Sequence, residues 1–285
     1  MAKIKPISQK TVFRPDKRLG QNFLKNSAII NHIIDLSGFD GADHVLEVGP
    51  GKGALTIPLA GVVSHITAVE KDHRLISDLE YRFSKANIDN VSLINNDILR
   101  FDISTIASSQ IRKLKVIGNL PYNISSPFVE MLIKNQHLVS KAVLMFQLEF
   151  AQRVAASPGS KAYGAMSVLV QYNAEVRPLF QVSKEEFRPV PKVGSMVVVF
   201  DMEKPHPRRV DNYDLFKRVV KGGFAHRRKT VINSLKGSLQ SFNSESILCS
   251  LEKCGIDPKR RAETLSIDDF IDLTSALKDF KSSNP

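Results

Sequence analysis

The sequence predicts an α/β protein: a seven-stranded, mostly parallel sheet covered by helices, followed by a small all-α unit. Three observations carry this. Short apolar runs alternate with helix-period patterns up to about residue 203. Past Asp201 no strand-like run follows, and helical patterns take over. A glycine cluster, Gly49, Gly51 and Gly53, comes directly after the first strand, where open parallel sheets seat their ligands.

The elements follow in order. Ile29, Ile30, Ile33, Ile34 and Leu36 recur at helical spacing, with Ser27 as the expected cap and Gly38 and Gly41 as the stop. Val45–Val48 is a short buried strand, and an apolar helix is expected near Gly53–Val62. Ile66–Val69 is the second strand, and Asp72–Lys85 has a helical pattern. Val91–Ile94 is the third strand, closing at Asn95-Asn96-Asp97. Val116–Gly118 is the fourth, closing at Asn119. Ala142–Phe146, Ser167–Val176 and Val193–Phe200 complete the seven. Pro205 and Pro207 then break the chain, and Tyr213–Val220, Lys229–Leu239, Glu245–Cys254 and Ile267–Leu277 read as helices. The expected division is a basic arm over 1–25, a sheet domain over 26–203 and a helical domain over 204–285.

The chain has 285 residues and a net charge of +11, from 40 Lys+Arg and 29 Asp+Glu. The excess is uneven. Residues 1–25 hold seven bases and one acid, residues 204–236 hold ten bases and two acids, and the rest is slightly acidic. Two basic segments flanking a near-neutral fold point to a polyanion held at two places. Two cysteines, Cys249 and Cys254, exclude a disulfide framework and fit a reducing compartment. Neither a membrane-length apolar run nor a secretory h-region is seen, so a soluble cytoplasmic protein without a membrane partner is expected. The seven histidines lack ligand spacing, so no metal is expected.

Glycines after the first strand let a ligand approach the backbone, and the next helix presents its N-terminus. A carboxylate at the second strand end, Glu70, can hold both hydroxyls of a ribose, and Asp97 at the third strand end can reach an adenine edge. Gly49-Pro-Gly51-Lys-Gly-Ala54 satisfies the dinucleotide pattern as well, so a nicotinamide cofactor stays open. Glu47, two residues before the first glycine, and the third glycine at position 53 favour S-adenosylmethionine.

Asn119-Leu120-Pro121-Tyr122 closes the fourth strand. An exocyclic adenine amine is a poor nucleophile because its lone pair is delocalised into the ring. Two acceptors on its N–H groups, the Asn119 side-chain oxygen and a carbonyl at Leu120 or Pro121, would aim that lone pair at a methyl donor. Pro121 restricts Leu120 and so directs the carbonyl. Tyr122 offers a face for a flipped base. The plainer reading is a proline turn with a core tyrosine.

These residues resemble the ribosomal RNA adenine N6,N6-dimethyltransferases, most closely the small-subunit (16S) branch. The matching strings are Leu19-Gly-Gln-Asn-Phe-Leu24, Glu47-Val-Gly-Pro-Gly51, Asn119-Leu-Pro-Tyr-Asn-Ile-Ser125 and Ser160-Lys-Ala-Tyr-Gly164. Phe187-Arg-Pro-Val-Pro-Lys-Val193, Phe224-Ala-His-Arg-Arg-Lys-Thr230 and Arg261-Ala-Glu263 complete them. The resemblance implies a Rossmann-like S-adenosylmethionine-dependent methyltransferase fold with an rRNA-binding helical domain. It implies that Asn22 and Leu24 contact the cofactor, Gly49 lines its methionine end, Glu70 holds the ribose, Asp97 the adenine amine, and Asn119 bridges cofactor and target. Phe187 would be a second stacking residue opposite Tyr122, against the plainer reading of a core aromatic. Arg227 and Arg228 would contact rRNA, against a solvated helix face. The implied partner is 16S rRNA in the small subunit or its precursor, met by a monomer. The implied reaction is four methyl transfers onto two adjacent adenosines of the 3′-terminal hairpin loop. The alternatives are the large-subunit (23S) branch, from which the 224–230 and 261–263 strings differ, and a non-catalytic subunit assembly factor.

Overall fold

A computed structural model describes residues 15–107 and 112–283. Lys3, Lys5, Lys10 and Arg14 of the expected basic arm lie outside the described residues. The chain enters through a two-residue strand, Phe23–Leu24, and helix α1, Ser27–Ser37. The cap of α1 is Asn26 rather than Ser27: its Oδ1 accepts from the amides of Ala28 and Ile29. Strands β1 (His44–Val48), β2 (His65–Glu70) and β3 (Val91–Asn95) alternate with helices α2 (Thr56–Ala60) and α3 (His73–Lys85). After β3 come α4 (Ser104–Ala107), β4 (Leu114–Asn119), α5 (Ser125–Lys134), β5 (Val139–Gln147), α6 (Leu148–Val154) and α7 (Ala165–Asn173). Strands β6 (Glu175–Val182) and β7 (Ser195–Asp201) close the sheet, and α8 (Tyr213–Phe224), α9 (Val231–Ser238), α10 (Ser244–Lys253) and α11 (Ile267–Ser283) follow.

The seven strands run in the order β3-β2-β1-β4-β5-β7-β6, and only β7 is antiparallel to its neighbours. The expected seven-stranded sheet is therefore present, with one reassignment. The run Ser167–Val176 is not a strand. Its first part is α7, and the sixth strand is Glu175–Val182. The cause is burial on two sides. Val170 and Ala174 join the core under β4 and β5, while Val168, Leu169 and Tyr172 join the core of the C-terminal helices. A helix apolar all round loses the period that would mark it. Strand β6 hides for the opposite reason: it lies at the sheet edge, carries Pro178 at a register irregularity, and is largely solvated.

Each face of the sheet has its own core. Phe128, Val129 and Leu132 of α5 pack on one side, and Ile30, Ile33 and Ile34 of α1 with Leu55 and Leu59 on the other. Because β2 and β4 flank β1 on opposite sides, the chain reverses its winding direction at β1 and β4. Their carboxyl ends splay there and leave a crevice.

Candidate active site

The crevice is lined by the ends of β1, β2 and β4 and by the entering segment 18–24. The turn after β1 holds Gly49, Gly51 and Gly53 at φ of 66°, 60° and 78°, a region that costs side-chain-bearing residues strain. A side chain at Gly51 would meet the Phe23 ring at 3.1 Å, whereas nothing lies within 4 Å of the corresponding point at Gly49. The turn thus leaves room for a ligand at Gly49 and is closed over by Phe23 at Gly51.

Glu70, at the end of β2, accepts from the Gly51 amide at 3.0 Å through Oε2 and from the Asp72 amide at 2.8 Å through Oε1. Burial raises its pKa, and the two amides oppose the shift. Both oxygens are therefore fixed, one by the glycine turn and one by the start of α3, each with acceptor capacity for a vicinal diol. Glu47 is deeper. Its Oε2 is buried and has no hydrogen-bond partner among the described residues. Burial pushes its carboxyl up to about 7, with Thr56 opposing and the Glu70 charge adding. Asp97, just past β3, receives Lys71 Nζ at 2.8 Å and caps the next turn through Leu99 N. The Lys71 hydrogen bond is the main cause that holds its pKa down.

The loop after β4 answers which acceptors are free. Asn119 Nδ2 donates to the Asn22 carbonyl at 2.9 Å. A carbonyl can only accept, so the amide orientation is set, and Oδ1 of this crevice-lining residue has no hydrogen-bond partner among the described residues. The Pro121 carbonyl is occupied by Ile124 N at 3.1 Å and Ser125 Oγ at 3.5 Å. The Leu120 carbonyl has no such partner among the described residues, so of the two carbonyls it is the one left free to accept. Tyr122 lines the crevice with its ring while its hydroxyl turns inward beside Ser195, where burial raises its pKa.

Four residues missed by sequence reasoning hold this geometry. Gln21 Nε2 donates to Asp72 at 2.7 Å and its Oε1 accepts from Asp16 N at 2.8 Å. This ties the entering segment to α3. Asp72 also takes two guanidinium hydrogen bonds from Arg74, the first cause that its carboxyl falls to about 2. Lys71 occupies Asp97. Gly118 pairs with Val48, and a Cβ there would sit 2.8 Å from the Val48 carbonyl. Only that glycine had a sequence signal, as an interior strand glycine directly before the loop.

Phe187 and Arg227 have contacts in this structure that bear on the roles expected of them. Phe187 is 1% exposed; it pairs with Leu24 in a two-residue ribbon and packs in the α1-side core. Its ring does not line the crevice in this conformation. Arg227 donates to the Lys161 carbonyl and lies 3.7 Å from Glu263, so it clamps the 157–164 loop to the 261–263 turn. Arg228 is exposed. No group of three or more side chains suited to a metal occurs among the described residues.

The ribosomal RNA adenine dimethylase sequence profile matches residues 12–279. The chain belongs to that family. It is 43% identical over 261 residues to the ribosomal RNA small subunit methyltransferase A of Desulforapulum autotrophicum, covering 92% of this chain and 91% of that one. The crystal structure of a Plasmodium falciparum dimethyladenosine transferase superposes with a TM-score of 0.74 at 27% identity, covering 91% of this chain and 97% of that chain. A 23S rRNA methyltransferase, ErmE, superposes at 0.68 with 23% identity, covering 90% and 100%; this likeness concerns the fold alone. Membership of the dimethylase family gives the crevice its ligand class: S-adenosylmethionine is the methyl donor. The residues fit that group on their own geometry, with a diol acceptor at Glu70, an open cradle at Gly49 and an unpaired buried carboxylate oxygen at Glu47.

Proposed function

We propose that this protein dimethylates the N6 amines of two adjacent adenosines in the 3′-terminal hairpin loop of 16S rRNA, using S-adenosylmethionine, during small-subunit biogenesis. The observation that carries the chemistry is the pair of free acceptors at Asn119 Oδ1 and Leu120 O, beside an amide orientation set by Asn22. The choice of small over large subunit is supported by the relatives of matching length at 43% identity.

Glu70 holds the ribose hydroxyls of the donor, Asp97 its adenine amine once Lys71 has shifted, and Asn22, Leu24 and Gly49 its remaining surface. S-adenosylmethionine supplies a methyl on a sulfonium centre. Asn119 and Leu120 accept from the target amine and aim its lone pair, Pro121 fixes the Leu120 carbonyl, and Tyr122 stacks on the base. No strong base is required, because the amine becomes acidic only after the methyl arrives. Positioning supplies most of the acceleration. For the second methyl, the amine retains one N–H, so one of the two acceptors is surrendered and the added methyl takes its place.

We assign residues 26–203 to catalysis and 204–285 to rRNA binding, in a monomer acting in the cytoplasm. No helix among the described residues is long and apolar enough to cross a membrane. Equilibrium binding tests the donor: S-adenosylmethionine should bind and NAD should not, and the reverse would restore the dehydrogenase reading. Asn119→Ala tests catalysis against a pure assembly role. It should lower methyl transfer about 10²–10³-fold and leave subunit binding within about threefold; equal loss of both would remove Asn119 from the chemistry.

A further inference from the structure

The ten cations of residues 204–236 are not equally available. Lys204 pairs with Glu175 and Asp201, Arg208 with Asp268 and Asp272, and Arg227 with Glu263. Arg209 stacks on the Tyr172 ring at 4.3 Å and donates to its carbonyl. Arg208 and Arg227 are engaged within or beside the helical unit, and Lys204 and Arg209 join it to the sheet domain. At one place, three cations converge on a single depression between α8 and α9. Lys217, Arg218 and Lys221 line it, with Ser238 and the backbone of Gly222 as the floor. Gly222 allows that floor: a Cβ there would lie 3.3 Å from Ser238 Cβ, so α8 and α9 close tightly and the side chains rise around a gap. Arg218 is oriented by a 2.7 Å hydrogen bond to Ser241 Oγ, a neutral partner. Lys217 makes no ion pair among the described residues. Lys221 reaches Glu130 at 3.4 Å, and Glu130 lies on α5, the helix that starts directly after the Asn119–Tyr122 loop.

We propose that the depression formed by Lys217, Arg218, Lys221 and Ser238 is a phosphodiester-binding site that seats one phosphate of the rRNA strand. The inference rests on the rRNA reading above and deepens it by naming where the helical unit grips. Two lysines, an arginine oriented by a neutral partner and a serine line the depression beside Leu239, no acid lines it, and the one nearby carboxylate recorded is Glu130, the partner of Lys221. This is the donor set of a phosphate, charged on one side and tolerant of any base. Glu130 competes with that phosphate for Lys221, so it sets the affinity. Its place on α5 puts the grip on the flank of the sheet that bears the catalytic loop.

The test measures binding of the full chain to small subunits lacking the modification, as a function of salt. One phosphate contact contributes about 0.7 to 0.9 to the slope of log affinity against log salt, so its loss weakens binding about five- to eightfold at 0.1 M salt. Lys217→Gln with Arg218→Gln should lower the slope and affinity by those amounts, with S-adenosylmethionine affinity and melting temperature unchanged. Lys217→Arg should behave as wild type, and Glu130→Gln should tighten subunit binding two- to threefold. Wild-type slope and affinity in the double variant, in a chain that still methylates the subunit, would overturn the site and leave the function standing. Absence of any subunit binding by the wild type would overturn both.

Discussion

The crevice at the carboxyl ends of the central strands and the helical unit after residue 204 use charge in opposite ways. In the crevice the carboxylates are inside. Glu47 and Glu70 are buried, and backbone amides rather than cations hold Glu70. In the helical unit the charges are outside, and several are paired with one another across exposed surfaces. Exposed pairs of that kind are worth only ~0–1 kcal/mol each, so apolar packing of Phe216, Leu251, Phe270 and Leu273 must supply most of its stability. A site that orients a neutral amine needs fixed acceptors and little net charge. A surface that holds a polyanion needs a few free cations on a frame stable without them.

The largest expected effect breaks the frame. Phe270 is fully buried, stacks near Phe224 at 5.7 Å and backs onto Gly223. Phe270→Ala should cost about 3–5 kcal/mol in denaturant unfolding. Because α7 contributes to the sheet core and to the helical core alike, both regions should unfold in one transition. Two separated transitions would show that the cores are independent.

Asn119→Ala should lower the methyl-transfer rate about 10²–10³-fold, the scale of losing one oriented hydrogen-bonding group at a reacting centre, while denaturant stability changes by less than ~1 kcal/mol. A loss shared equally between rate and stability would mean that the Asn119–Asn22 contact mainly closes the entering segment.

The buried carboxyl at Glu47 gives the crevice a pH signature that the helical surface lacks. Its folded value is about 7 against an ordinary 4.5, so the folded state binds the proton more tightly. Stability contributed by this group is greatest below about pH 4.5, falls as pH rises to 7, and is level above that. Glu47→Gln should flatten that window and raise stability at pH 8 by on the order of 3 kcal/mol relative to wild type. Asp72 acts in a different window: its depressed value means stability lost only as pH falls from about 3.8 toward 2. A Glu47→Gln protein with the wild-type slope between pH 5 and 7 would place the titration elsewhere.

The smallest effects separate two neighbouring arginines. Arg227→Ala should lower stability by about 0.5–1 kcal/mol by releasing the 157–164 loop, with little change in salt-dependent rRNA binding. Arg228→Ala should do the reverse. If both variants act alike, the clamp seen at Lys161 and Glu263 has no energetic weight.

Much of this was legible in the sequence because the sheet writes itself locally. Glu47 to Gly53, Glu70, Asp97 and Asn119 each close a strand, and strand ends in an alternating fold converge on one edge. The glycine string kept a nicotinamide cofactor open, and family membership removed that ambiguity. What was not legible depends on distant contacts. Gln21 meets Asp72 and Asn22 meets Asn119 across 51 and 97 residues of chain, and neither pair has a local signal. The α7 run was misread because two cores share it, and β6 because a solvated edge with a proline lacks a strand pattern. Phe187 stands before a Pro-Val-Pro loop that suggested exposure, yet its pairing with Leu24 folds the ring inward.

The most direct measurement of the central claim is transfer of labelled methyl from S-adenosylmethionine to undermethylated small subunits and, in parallel, to large-subunit rRNA, followed by nucleoside analysis. The expected result is four methyl groups per small subunit, recovered as two N6,N6-dimethyladenosines, with none in the large-subunit RNA. Label confined to the large-subunit RNA, or monomethyladenosine as the final product, would contradict it.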